Sequence, residues 1–230
     1  MKFTWLGHSG FRIEIGDQVL LLDPWITGNP VFPQDRRAEA IAGATHILLT
    51  HGHFDHANDV VSIARELDIP VVGIFDLVDP MAEREGIASV GFNKGGTVPL
   101  GSVGVTMVNA VHSSTLPSAD GPRPAGSEAG FVLDDGTRRV YVSGDTDVTM
   151  DMELVEALHA PEIGILACGG HFTMDMARAA YAAKRFFNFR TVIPCHYKTF
   201  PLLAQSAQVL KDGLPGVDVI EPEVMGTIDL

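Results

Sequence analysis

The chain of 230 residues contains only two cysteines, Cys168 and Cys195. That is too few for the disulfide framework of a small secreted protein, and both read as reduced, buried side chains near the core. Positive charge is also scarce: 16 lysines and arginines stand against 29 acidic residues, a formal net charge of −13. Such a surface does not hold nucleic acid by neutralising phosphates. Arg36-Arg37 and Arg138-Arg139 read as solvated pairs rather than a basic patch. A small anionic substrate stays open, because bound metal ions invert a local field. No apolar run approaches the roughly 20 residues of a membrane-spanning helix. Met1 to Gly7 already looks like a strand, with no apolar segment and small-residue cleavage site, so the expected location is the cytoplasm. Two catalytic signatures are missing as well. Lys94-Gly95-Gly96 lacks the spacing of a phosphate-binding loop, and no G-x-S-x-G elbow occurs for a serine nucleophile.

What is present is an ordinary globular composition, 46% apolar and 20% charged. The length suits one domain over residues 1–230 with a substantial core. Lys2 to Leu6, Phe11 to Ile15 and Val19 to Leu22 read as an antiparallel meander, ended by Asp23-Pro24. Ile26 to Arg37 reads as a long surface loop. From Thr45 strands and helices alternate: strand His46 to Thr50, helix Ala57 to Leu67, strand Pro70 to Ile74, helix Asp76 to Glu85. Thr97 to Leu100 and Val103 to Ala110 form a hairpin, followed by a Ser-, Pro- and Gly-rich loop from Ser113 to Ser127. A second half repeats the theme. Its hairpin is Gly130 to Leu133 with Arg138 to Ser143, and its helices are Glu153 to His159, Met174 to Phe187 and Leu202 to Lys211. Strands Glu162 to Ala167, Thr191 to Cys195 and Val217 to Ile220 alternate with them. Meanders leading into alternating strands and helices predict an α/β (α+β) fold, two mixed β-sheets face to face with helices outside, in a single domain.

The chemistry concentrates in His51-Gly52-His53-Phe54-Asp55-His56, between a buried strand and a helix. Three imidazoles and a carboxylate in one strand-to-helix loop have little structural use, whereas their nitrogens and oxygens are the donors that zinc, iron and similar cations prefer. Four donors in one loop serve two metals only if other strand ends supply more. His112, Asp145 and His196 each follow an apolar strand-like run, where such sheets place their ligands. Taken singly, each has a plain reading, a strand-end histidine or a turn aspartate; beside the six-residue motif all three become candidate ligands.

The order H-x-H-x-D-H, then His112, Asp145 in Gly-Asp-Thr, and His196 resembles the metallo-β-lactamase superfamily of metal-dependent hydrolases, over almost the whole chain. The stretches Trp5 to Phe11, Leu22-Asp23-Pro24, Gly169 to Met174 and Pro194 to Tyr197 resemble a small bacterial branch of it, similar to ascorbate-6-phosphate lactonase. The resemblance implies a four-layer αββα sandwich with its site at one edge of the sheets. It implies His51, His53 and His112 on one divalent cation and Asp55, His56 and His196 on a second, with Asp145 bridging. Zinc is the expected metal, with manganese or iron as alternatives. No cysteine follows the motif or replaces Asp145, unlike the zinc lactamases with a cysteine ligand.

Such a centre predicts hydrolysis of a small ester, lactone, amide or phosphodiester by metal-bound hydroxide, with Asp55 and Asp145 as the catalytic carboxylates. An iron-dependent redox enzyme on the same fold is the alternative; a nuclease is disfavoured by the acidic charge. The expected partner is a small-molecule substrate, with no nucleic acid and no membrane, and a homo-oligomer stays open. Around the centre, Asp23 reads either as a turn-initiating Asp-Pro or as the acceptor for a histidine N–H. His8 and His171, in glycine-flanked turns, read either as plain turn histidines or as site residues. Tyr197 and Lys198 read as a solvated loop pair or as contacts to a substrate oxygen. The loops Ile26 to Arg37 and Ser113 to Ser127 are the expected pocket walls.

Overall fold

A computed structural model describes residues 1–230. The chain opens as an antiparallel meander, β1 (Lys2–Gly7), β2 (Gly10–Ile15) and β3 (Gln18–Leu22). A segment with a 3₁₀ turn (Gln34–Arg36) and the short α1 (Arg37–Ile41) leads to β4 (His46–Leu49). Then come α2 (Phe54–Ala57), α3 (Val60–Leu67), β5 (Val71–Ile74), α4 (Phe75–Glu85) and β6 (Ser89–Phe92). From β3 to β6 every pairing is parallel.

The second half repeats this plan. β7 (Thr97–Leu100) and β8 (Val103–Asn109) form a hairpin, and a two-stranded ribbon, β9 (Thr115–Leu116) with β10 (Arg123–Pro124), follows. β11 (Ala129–Asp134) pairs antiparallel with both β8 and β12 (Arg139–Val142). Then α5 (Asp151–His159), β13 (Ile163–Ala167), α6 (Met176–Phe186), β14 (Thr191–Cys195), α7 (Gln208–Gly213) and β15 (Asp218–Val219) alternate, with parallel pairing from β12 to β15. The last strand, β16 (Thr227–Asp229), returns to pair with β1. The result is two seven-stranded sheets, β16-β1-β2-β3-β4-β5-β6 and β15-β14-β13-β12-β11-β8-β7, in an αββα sandwich.

Burial follows the pairing. β13 and β14 are buried at every position and β4 at all but its first residue, as expected of parallel strands covered on both faces. β2 and β8 alternate, one face on the core and the other half-exposed. One apolar cluster runs through both sheets, from Phe3 and Trp5 through Leu48 to Phe131 and Ile193.

Four differences from the sequence reading stand out. β6, α1 and β16 carry weak local signals and form because neighbouring strands or the core offer them a partner. The helix expected at Leu202 to Lys211 is confined to Gln208–Gly213. The histidine motif is not wholly a loop, since helix begins inside it at Phe54, with His53 as N-cap. The loop after His112 carries the β9–β10 ribbon.

Candidate metal centre

Most residues of the centre leave the end of a strand. His51 follows β4, His112 follows β8, Asp145 follows β12 and His196 follows β14, while His8 sits between β1 and β2 and Asp23 ends β3. Because the four-residue α2 starts at Phe54, Asp55 and His56 project from its single turn, and the amides of His56 and Ala57 both bond His53 O. Gly52 is tightly enclosed: a Cβ there would lie 3.0 Å from Thr115 O, so the neighbouring segment would have to give way. Gly144 takes φ +60, and a Cβ would collide with Ala129 O, so only glycine delivers Asp145 at this bend.

Four of the candidate ligands converge on one carboxylate oxygen of a fifth, Asp145. Asp145 Oδ2 lies 3.0 Å from His196 Nε2, 3.3 Å from His56 Nε2, 3.7 Å from His112 Nε2 and 3.9 Å from His51 Nε2. On one side His51 Nε2 faces His53 Nδ1 at 3.0 Å, and His51, His53 and His112 form one group of converging donors. On the other, Asp55, His56 and His196 form a second group with His8, whose Nε2 is 2.9 Å from Asp55 Oδ2.

Asp23 fixes the tautomers. A carboxylate only accepts, so His56 Nδ1–H donates to Asp23 Oδ2 at 2.8 Å and leaves the Nε2 lone pair turned to the centre. The Thr50 hydroxyl also donates to Asp23 Oδ2, at 2.7 Å, and must then accept from His51 Nδ1–H at 3.0 Å. That leaves His51 Nε2 as a lone pair aimed inward too. One buried carboxylate therefore orients two imidazoles, one in each group. His8 is held in the same manner, with Nε2–H on Asp55 and Nδ1 beside Thr199 Oγ1 at 2.9 Å.

The electrostatics favour the ligand forms. Burial and the neighbouring His56 push His51 well below the ordinary histidine range. Burial likewise lowers His53 and His112, and with the nearby His196 it takes His8 down to about 4. His56 is the exception: burial lowers it, but Asp145 and Asp23 together lift it well above the ordinary value. Burial alone would raise Asp145, yet His196 and His56 hold it well below the usual carboxylate range. His56 Nε2 and Asp145 Oδ1 are buried without a hydrogen-bond partner. Buried imidazoles and a carboxylate crowded at about 3–4 Å with polar atoms left unpartnered are costly unless a cation lies among them. The donor set of imidazoles and carboxylates fits a divalent transition metal.

His8, Asp23 and His196 also take left-handed backbone, at φ 53, 42 and 56. Each such conformation costs about 1–3 kcal/mol and persists where its surroundings hold it. His196 N bonds His8 O at 2.9 Å, and Gly169 lies so close to His196 O that a Cβ there would collide with it.

Several expected contributors lie elsewhere. Tyr197 is fully buried and stacks on Trp5, because the bend at His196 turns it into the core. Lys198 bonds Glu221 at 2.8 Å and lies over the Tyr197 ring. His171 is exposed and touches Phe172 rather than the centre. Cys168 and Cys195 are buried, as read from the sequence, and neither belongs to the groups of converging donors. Conversely, Thr50, Thr199 and Glu128, which accepts the His112 amide at 3.1 Å, carry no signal in the local sequence.

The centre floors a cleft of about 620 Å³. One wall is the 113–127 segment, as expected, through Ser113, Thr115, Pro117, Ser118, Gly121 and Pro122. The other wall is not Ile26 to Arg37. That segment is tied down by Asp59, whose carboxylate takes the amides of Ile26 and Thr27, each at 2.8 Å. Phe54, Phe172, Phe200 and Leu202 stand there instead.

Comparison with known proteins bears on the family and the fold. Residues 18–197 match the model of the β-lactamase superfamily domain. A protein of Dinoroseobacter shibae named a metal-dependent hydrolase is 70% identical over 100% of both chains. A metallo hydrolase from the hyperthermophilic archaeon Ignicoccus hospitalis superposes with a TM-score of 0.83 at 30% identity, covering 100% of this chain and 98% of that one. The fold extends to a diiron β-hydroxylase of Streptomyces venezuelae, TM-score 0.73 at 15% identity, covering 100% of this chain and 54% of that one.

Proposed function

This chain belongs to the β-lactamase superfamily and is one of its metal-dependent hydrolases, and on that premise we propose that it holds two divalent cations and hydrolyses a small acyl or phosphoryl substrate. The observation that carries the reading is the position of Asp145 Oδ2, within 3.9 Å of four imidazole nitrogens that arrive from both halves of the fold. His51, His53 and His112 would hold one cation, Asp55, His56 and His196 the other, and Asp145 would lie between them. When bound, zinc ions at such a site supply a Lewis acid for the substrate oxygen and lower the pKa of water from 15.7 to about 7.

The remaining work falls to this chain's own groups. Asp23 holds His51 and His56 in the tautomers that present lone pairs. His8 fixes Asp55 Oδ2, and Asp55 borders the cleft, so its carboxylate is the one placed to carry a proton between water and leaving group. The bond cleaved would be that of an ester, lactone, amide or phosphodiester, with a lactone as the first candidate from the resemblance of the sequence.

Metal content and turnover test this together. The protein as purified should carry two equivalents of zinc, or of manganese or iron, by plasma mass spectrometry. It should cleave at least one member of an ester, lactone, amide and phosphodiester panel. One equivalent or none after reconstitution would refute the two-metal reading. Stoichiometric iron with oxygen consumption would replace hydrolysis by redox chemistry.

A further inference from the structure

The cleft's ionisable lining is confined to the centre itself. Its charged or titratable residues are His53, Asp55, His112, Asp145 and His196, and no lysine or arginine reaches it. Lys198, the cation nearest in sequence to His196, is engaged by Glu221 at 2.8 Å. Arg123, on the ribbon that rises from the other wall, is engaged by Asp120 at 3.0 Å. A substrate whose non-reacting part bore a phosphate or carboxylate would give up its hydration here with no cation to meet it.

What the cleft does offer is aromatic and apolar surface. Phe54, Phe172 and Leu202 line it while remaining 52%, 50% and 54% exposed, an exposure that the core does not require. Phe54 and Phe200 are backed by the buried Trp25, at ring distances of 5.5 and 5.9 Å, so this wall is fixed rather than loose. Pro117 and Pro122 line the cleft as well. Exposed apolar groups gathered at a pocket mouth mark a ligand surface.

We infer that the substrate's non-reacting part is uncharged and apolar, an aryl or alkyl group held among Phe54, Phe172, Phe200, Leu202 and the two lining prolines. A phosphorylated sugar or a free dicarboxylic acid derivative is excluded. The inference rests on the reading of the centre as a hydrolase and names the class of molecule it takes.

Two hydroxamates with the same chelating head separate the tails: phenylacetohydroxamic acid and succinic monohydroxamic acid, titrated by calorimetry into the protein as purified with its metal. The phenyl compound should bind at least about tenfold tighter. Phe172→Ala and Leu202→Ala alter exposed side chains that the fold does not need. Each should reduce that preference several-fold with little change for the succinyl compound. Phe172→Arg should strengthen the succinyl compound by giving its carboxylate a partner. Equal or tighter binding of the succinyl compound by the unaltered protein overturns the inference. So does a phenyl preference untouched by all three substitutions. Turnover of methyl phenylacetate against monomethyl succinate should follow the same order. Phenyl-selective binding with neither ester and no member of the ester, lactone, amide and phosphodiester panel cleaved would keep the pocket assignment and reject the hydrolase reading instead.

Discussion

The two groups of donors around Asp145 are built differently. His53 and His112 border the cleft half-buried, with His51 buried behind them; apart from Asp145 and the Thr50–His51 bond, their side-chain contact beyond the histidines is a 3.4 Å approach of Ser113 to His53. Asp55 and His196 also reach the cleft, but His56 and His196 are almost fully buried, and Asp55 and His56 are gripped from behind by His8 and Asp23. The first group is the more open; the second is the deeper and the better braced. A braced site loses less freedom when it takes a cation and exchanges it more slowly, so the two should differ in affinity and in their response to mutation.

Removing what the groups share should have the largest effect. Asp145→Ala leaves four imidazoles facing one another with no carboxylate between them. Bound metal should fall below one equivalent and kcat/KM by more than about a hundredfold, beyond the 10–100-fold typical of outer partners. Single ligands come next and test the asymmetry itself. His53→Ala should empty the open group and abolish activity while the deep group keeps one equivalent, whereas His196→Ala should lose the deep one. Full activity in His53→Ala would end the two-metal proposal, and equal affinity, by chelator competition, for the equivalent that each variant retains would end the distinction.

Asp23→Ala probes the brace. Because Asp23 sets the tautomer of His56 directly and that of His51 through Thr50, both groups should weaken by about 10–100-fold in a chelator competition, the deep one more. The smallest effect lies behind His196. Burial would raise Glu221, but Lys198 at 2.8 Å and Lys211 at 3.1 Å pull it down to about 2. A carboxyl depressed in the folded state contributes stability above its unfolded pKa, about 4.3, that is lost as pH falls toward about 2. Urea midpoints of Glu221→Gln and the parent protein should therefore differ at pH 6 by no more than about 1 kcal/mol and converge near pH 2.

The residues that can bind metal were legible because their chemistry is local. Imidazoles spaced two and three apart after a buried strand have few other uses, and strand ends carrying a single histidine or aspartate could be listed by inspection. Asp23 and His8 were visible as residue types without their roles, since a turn aspartate and a supporting aspartate look alike until a histidine 33 positions away lies against one of them. Tyr197 and Lys198 failed for a related reason. Their neighbour His196 takes φ 56, and that bend sends the next side chain inward instead of toward the cleft. Thr199 and Asp59 had no local signal at all; each matters through a contact 32 or more positions distant.

The expected pocket wall at Ile26 to Arg37 shows the same division. Glycine, proline and length marked it as a loop, but a loop becomes scaffold or wall according to what it is tied to, and Asp59 ties this one down. The strand and helix alternation, the ligand types and the absence of basic surface came from the sequence by itself, because periodicity, donor chemistry and charge are properties of residues. The assembly of those ligands around one oxygen, their tautomers, and the apolar wall above them were decided only by the tertiary structure. They depend on two seven-stranded sheets bringing strand ends from both halves of the chain to within a few ångströms, and no local pattern encodes that distance.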